Sequence, residues 1–558
     1  MPGGAACRIP CTALLGATLV AVALGDRPAL AFPDSDASSP SIVSAGSAAQ
    51  SDSSDASALA HQVQLLNAFG NTPGEAGWSI TPSITLQEVL NDNIYQTSPD
   101  RRGDLITYVT PGLAIYGNTP RVQVRLNYQP SLLYYADNTS LNDVQQQLNA
   151  IGDFVLWQDH LYLDVRGLAG VGASVGGAPG LGFGTTGGTA GLQNGTTTNL
   201  TKQNSTQFTS FEASPYFLQK FEDYGTLKVG YTINQSSSSN TSGFSPISVT
   251  STGPATSQTT NEELVQFTTG DFLNRISDIV LLDAKQYTTT GISQPGHNNT
   301  ATNQLSYILN RSITVFGTLG YEDIDYGGTS PLIINDMVWL IGTTLTPNPR
   351  STITVSYGHQ NGADNLNVNG LYTLTARTSI SVSYVNELGT QLQQVQNQLA
   401  AADINNAGSL INSRTGAPLS VGNNLLGTQN ELYRSHTATV TTTTLLDRDT
   451  LALNAQYSDY IAAGGGATGS TSGISATASW SHELSEDLTL SASGSYGQRW
   501  FLDPGGKETY VALTTALTYS FSATLSGSVR YAFYDVNANG QGQSMYQDLF
   551  VISLTKQF

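Results

Sequence analysis

Charge is the first thing this chain is short of. Asp, Glu, Lys and Arg make up 11% of its 558 residues, against roughly 25% in an ordinary soluble domain. Long apolar runs are also missing. After the N-terminal stretch no segment reaches the ~18 residues of a membrane helix. Cysteine is confined to Cys7 and Cys11, which excludes a disulfide framework or a cysteine metal site from the rest of the chain. Neither cysteine stands at a lipoprotein cleavage site. The six histidines (His61, His160, His297, His359, His436 and His482) are scattered. No HExxH pattern or paired metal-ligand spacing is present. Gly182–Gly187 matches GxGxxG formally but lacks the flanking strand, helix and downstream acid of a dinucleotide site. Asp159-His160 is an adjacent acid–imidazole pair at an expected turn. No catalytic residue, cofactor or metal is expected, and an enzyme is not. The formal net charge of −19 argues against a nucleic-acid partner, which needs a basic footprint.

What remains is a composition of Gly, Tyr, Ser, Thr and Asn. Its start has the form of an export signal. Arg8 gives a positive n-region, Ala13–Leu24 an apolar core, and Ala29-Leu30-Ala31 a small-x-small cleavage site. Residues 1–31 are therefore expected to be a signal peptide. Removing them would leave 20 basic against 40 acidic residues. Residues 32–77 are expected to be a leader in the periplasm, Ser/Asp/Ala-rich to about Ala60, with too little apolar surface to order itself.

From Trp78 the chain becomes a series of two-faced strands. At the C-terminus, Phe550, Ile552, Leu554 and Phe558 share one parity, and Val551, Ser553, Thr555 and Gln557 the other. Lys556 breaks the apolar parity near the end, where it can snorkel to a membrane surface. The same period recurs in Arg350–Tyr357, Thr509–Phe521 and Ala523–Phe533. The second face is too polar for a core and too uncharged for a soluble exterior. Small hydroxylated side chains facing a watery lumen fit it.

The connections alternate in length. Short turns are expected near Asn118–Pro120, Trp157–Asp159, Glu222–Tyr224, Asn274, Asn310, Pro347–Pro349, Thr375, Asp447, Ser485 and Phe521. Longer connections fall between them, including Gly176–Asn204, Gln360–Asn367 and Asn386–Gln429. This is the pattern of an all-β, antiparallel up-and-down transmembrane β-barrel of the outer membrane, with short periplasmic turns and long extracellular loops. A β-solenoid shares the composition but would show a fixed repeat, and none is found. The expected number is roughly 22 strands, with 18 or 20 as alternatives, the weakest strand being Val368–Leu374. Tyr321, Tyr357, Tyr384, Tyr457, Tyr496 and Tyr531 sit partway along strands, as an interfacial girdle would.

Within Asn386–Gln429, Leu388, Leu392, Val395 and Leu399 recur at helical spacing. Such a helix either enters the lumen as a constriction or lies on the barrel mouth. Arg121, Arg125, Arg166, Lys228, Arg499 and Arg530 oppose the apolar parity and are the candidate lumen-lining residues. They either line a path for anionic solutes or pair with inward acids such as Asp164 and Glu322.

Two stretches carry a resemblance. WSITPSITLQEVLNDNIYQT and the following residues to Ala150, and ELGTQLQQVQNQLAAAD with SRTGAPL at Ser413–Leu419, resemble the PEP-CTERM-system-associated outer-membrane proteins, a β-barrel porin family. The resemblance implies an outer-membrane barrel near exopolysaccharide loci and no catalytic residues. The strand ending at Phe558, through Phe550, Ile552 and Leu554, resembles the signal read by the outer-membrane barrel insertion machinery. The expected partners are thus that machinery, outer-membrane lipid, and polysaccharide or small solutes. The expected function is a porin-like channel for exopolysaccharide export or solute passage. The alternative is a surface-anchoring barrel whose loops bind extracellular partners.

Overall fold

The computed structural model describes residues 77–98, 100–173, 205–240, 256–290, 295–328, 331–404, 410–412, 432–464, 469–501, 506–540 and 544–558. The expected signal peptide, all but the last residue of the expected leader, and the Gly/Thr-rich connection at 176–204 lie outside the described residues, as does SRTGAPL.

Alternating apolar and hydroxylated residues leave a strand two unlike faces, and neither can be hidden by pairing with one neighbour. The chain solves this by pairing each strand on both edges and closing the sheet. The strands are β1 (Gly77–Asn91), β2 (Asp104–Asn118), β3 (Val122–Tyr128 and Ser131–Tyr135), β4 (Asp143–Gln145 and Leu148–Trp157), β5 (Leu161–Ala173) and β6 (Ser205–Lys220). They continue as β7 (Gly225–Asn240), β8 (Thr256–Thr269), β9 (Ile276–Thr290), β10 (Gly296–Asn310), β11 (Ile313–Tyr326) and β12 (Leu332–Asn348). Next come β13 (Ser351–Gln360), β14 (Ala363–Thr375), β15 (Thr378–Gly389), β16 (Tyr433–Leu445) and β17 (Asp449–Ala462). The last are β18 (Ser470–Ser485), β19 (Leu488–Phe501), β20 (Gly506–Ser522), β21 (Leu525–Gly540) and β22 (Met545–Gln557). Every ladder between neighbours is antiparallel, and β22 pairs with β1, Gln557 opposite Ser83 and Leu549 opposite Asn91. The result is a closed, 22-stranded, up-and-down barrel.

The two faces separate as the alternation requires. On β17, Leu451, Leu453, Tyr457 and Ile461 are exposed on the outer surface, while Ser458 and Tyr460 on the opposite parity are buried. Phe550, Ile552 and Leu554 are exposed outward, and Leu549 and Val551 face in. In water such an apolar outer band would be a large aggregation patch; against hydrocarbon it is the favourable face of a membrane barrel. Tyr321, Tyr357, Tyr457, Tyr496 and Tyr531 are exposed on the outside, and Tyr384 is half-buried.

The ten expected short turns all fall between strands at one end. Several need a left-handed residue, supplied by Asp159, Glu222 and Asn274 (φ 65°, 47° and 58°). Phe558 lies at this end, its N–H donating to the Pro82 carbonyl at 2.9 Å, and Lys556 reaches Thr524 Oγ1 at 2.7 Å.

Two expectations are corrected at the opposite, long-loop end. Gln360–Asn367 is no long connection: Asn361 and Gly362 alone turn the chain, with φ of 56° and 69°, and Gln360 pairs with Ala363. Both positive φ values mark the tight hairpin that Asn-Gly favours. The stretch Val368–Leu374 lies within β14, a full strand paired on both sides. Leu388 belongs to β15 rather than to the helix, so the insertion begins at Thr390 and not at Asn386.

Because the outer band is the lipid face, Ile552→Arg is expected to cost about 2–4 kcal/mol. Ser553→Arg, on the lumen side, is expected to cost far less. Urea-dependent folding into lipid vesicles measures both, and equal costs would show that the faces have been assigned wrongly.

Candidate functional site

The site is built where the insertion after β15 meets the inner wall. Helix α1 (Gln391–Ala400) starts at Thr390, whose hydroxyl accepts from Gln393 N–H while the Gln393 side chain accepts from Thr390 N–H, a complete capping box. Leu392, Val395 and Leu399 form one apolar stripe at three- and four-residue spacing. They are buried against Ile151, Leu168 and Phe208, which face inward from β4, β5 and β6. Burial of each such side chain is worth on the order of 1.5–3 kcal/mol. The helix therefore lies inside the lumen, not on the mouth.

Its other faces are held by amides and hydroxyls of the wall. Gln396 Oε1 accepts from Thr260 Oγ1 at 2.8 Å and from Gln258 Nε2 at 3.2 Å. Gln394 Nε2 donates to Ser435 Oγ at 2.9 Å, and the Tyr326 hydroxyl donates to Gln393 Oε1 at 3.4 Å. These partners sit near the long-loop ends of β8, β16 and β11, so α1 obstructs that half of the lumen. At its C-terminal end the hold becomes ionic. Arg166 Nη1 donates to the Ala400 carbonyl, where the helix dipole is negative, and lies 3.6 Å from Glu212. Arg125 lies 3.4 Å from Asp403, in a small hairpin of Ala402–Ile404 with Leu410–Asn412.

Of the six candidate lumen residues, Arg125 and Arg166 thus converge on the insertion. The others do not. Arg121 is exposed in the turn between β2 and β3. Lys228 is buried on β7, its Nζ 4.8 Å from the centre of the Tyr216 ring. Arg499 of β19 pairs with Glu508 of β20 at 3.2 Å, both almost wholly buried. Arg530 is buried on the inward face of β21. Glu322 accepts from the N–H groups of Asn361 and Gly362, each at 2.9 Å.

Sequence reasoning missed the acids that match these cations. Glu212, Asp403 and Glu508 are among them, as are Glu262 and Asp283, 3.7 and 3.1 Å from Lys285. The inward parity of those on the wall was readable, but apart from Asp283, which shares β9 with Lys285, the pairs join neighbouring strands or the wall and the insertion. It also missed a second set of tyrosines that points inward. Tyr108, Tyr135, Tyr433, Tyr460, Tyr510 and Tyr534 are buried in one cluster with Val89, Ile106 and Leu549. Tyr433 and Tyr460 stack with centroids 4.5 Å apart. This cluster and α1 together narrow the same half of the barrel.

No family model matches the chain, and no curated protein matches it. Solved structures do. The FrpB iron transporter from Neisseria meningitidis (F5-1 variant) is 10% identical, with a TM-score of 0.48 over 89% of this chain and 84% of the other. The ferric-catecholate import receptor Fiu from E. coli K12, in its open form, is 11% identical, with a TM-score of 0.45 over 87% and 82%. The siderophore receptor PirA from Acinetobacter baumannii is 8% identical, with a TM-score of 0.46 over 87% and 81%.

The Arg499–Glu508 pair makes a sharp test of the inner wall. Arg499→Ala leaves a buried carboxylate without its cation and is expected to cost about 3–5 kcal/mol, whereas replacing both residues by Met and Leu is expected to restore most of it. Unfolding of the barrel from detergent or lipid measures the cycle.

Proposed function

We propose that the chain is an outer-membrane, porin-like channel that passes exopolysaccharide or small solutes, with the insertion after β15 as its gate. The observation that carries this reading is the burial of α1 inside the lumen on wall residues of β4, β5 and β6. A barrel of 22 strands encloses a lumen wide enough to conduct unless something fills it. Below α1 the wall is lined by small hydroxylated residues: Ser379, Ser381, Ser383, Thr439, Thr441 and Thr443 oppose the outward Val382 and Val440. Such a lining solvates a hydrated polymer without binding it tightly. Export by a signal peptide and insertion through the Phe550–Phe558 strand are the route this reading assigns. Polysaccharide as the cargo rests on the resemblance of Trp78–Ala150 and the Gln-rich helix to the PEP-CTERM-associated barrels.

A second reading keeps the barrel and removes the transport. The inward tyrosine cluster narrows the long-loop half independently of α1's contacts, as a closed anchor for surface loops would. Two measurements separate the readings. Deleting the chain from its host is expected to lower secreted polysaccharide and raise the periplasmic pool. Removing Thr390–Gln429 from the purified barrel is expected to raise its conductance in planar bilayers several-fold. Unchanged polysaccharide in the first would remove the cargo, and a silent barrel in the second would favour the anchor.

A further inference from the structure

The wall of the barrel is not of even height. The hairpin of β13 and β14 stops at Asn361–Gly362, where β13 last pairs with β12 through His359 and Trp339. Leu332–Val338 of β12 are therefore paired to β11 on one side and not to β13 on the other. Across the dip, Val385–Gly389 of β15 are paired to β16 and not to β14. The Met337 N–H on the exposed edge is covered by its neighbour's Asp336 Oδ1 at 2.7 Å. Asp336 Oδ2 is also 3.0 Å from His359 Nε2.

The strands beyond the dip do not continue the cylinder. Lower on β15 and β16, even-numbered residues face outward, and Val382 and Val440 are exposed. Higher up, Leu388 has the same parity, yet it packs against a buried cluster of Leu432 with Tyr287, Ile324, Tyr326 and Ile334, the last four facing inward from β9, β11 and β12. Leu432, just before β16, is buried in the same cluster. Arg434, also even-numbered, donates to the Asn361 carbonyl at 2.7 Å. An outer face can meet an inner face only if the ends of β15 and β16 fold into the lumen. The hairpin tip is drawn in with them. Both Glu322 carboxylate oxygens accept from its N–H groups, and a side chain at Gly362 would come within 3.1 Å of Ile334.

We propose that this inward-folded piece of wall is a hinged flap: the ends of β15 and β16, clasped shut by Arg434 on the hairpin tip at Asn361–Gly362, which Glu322 in turn holds to β11, and carrying α1 with it when it swings. The helix cannot stay behind. Thr390 follows Gly389 with no linker, and Gln394 is bonded to Ser435 of β16. The clasp is charged at both arms while the remaining contacts of α1's N-terminal half are neutral amides and hydroxyls. Opening must break the Arg434 bond together with the wall contacts of α1. The inference rests on the channel reading and deepens it by naming the moving part.

The test uses the full chain in planar bilayers, where the chain without Thr390–Gln429 serves as the open reference. Glu322→Gln and Arg434→Met are each expected to raise the ratio of open to closed time about tenfold, since each weakens one link in the chain of charge-assisted hydrogen bonds that runs from β11 through the tip to β16. The double variant is expected to add little to either. Bridging Ile334→Cys to Leu388→Cys with a short bifunctional thiol reagent is expected to silence the Glu322→Gln channel, and reduction to restore it. If the reference conducts while the clasp variants behave as wild type, or if bridged channels still open, α1 moves alone and the flap is overturned. If even the reference is silent, the channel reading itself fails. Retained heat-modifiable migration in gels excludes misfolding as the cause of either result.

Discussion

A backbone amide in hydrocarbon has no water to bond, so each one must find its partner in the protein. That requirement governs the whole architecture. It forces β22 back onto β1 across nearly the entire chain, and it sets the strand count to an even number once the chain runs up and down. It also explains why a place where pairing lapses, the dip at β13 and β14, is furnished with side chains. Asp336 covers an edge N–H, Glu322 takes two more from the hairpin tip, and Arg434 satisfies a carbonyl.

Inside the barrel the solvent differs, and so do the rules. Cations on the inner wall are matched by acids on the same or an adjacent strand or in the insertion, as Arg166 is by Glu212 and Lys285 by Asp283 and Glu262. Neutral hydroxyls and amides fill the spaces between. An overall acidic chain thus presents an inner surface whose described cations are largely spoken for, and Arg125 and Arg166 lie against the insertion. Tyrosine plays two parts on the two faces: Tyr321 and Tyr531 are exposed outside, while Tyr433 and Tyr460 stack on the inner wall.

Period-two patterning made the barrel legible, because one face must suit lipid and the other must not. Turn chemistry located all ten short connections. It failed once, at Asn361-Gly362, where the strongest two-residue hairpin signal was passed over because the strict alternation of short and long connections suggested a loop. The insertion was legible as a helix from Leu392, Val395 and Leu399, but its destination was not. Amphipathicity tells that a face will be buried, not on what, and the partners Ile151, Leu168 and Phe208 are hundreds of residues away. The inward turn of β15 and β16 was invisible for a related reason. Leu388 keeps the parity of an outward residue, and only the surface opposite it has changed.

The seam between β1 and β22 has a consequence for how such a chain can vary. Everywhere else a strand pairs with its neighbours in sequence, so any hairpin can be lost or gained without disturbing the connectivity of the rest. The girth of the barrel would change, while the seam would re-form between the same first and last strands. Descent with modification in this architecture is therefore expected to proceed in steps of two strands, with the ends of the chain as the fixed reference and the middle as the adjustable part.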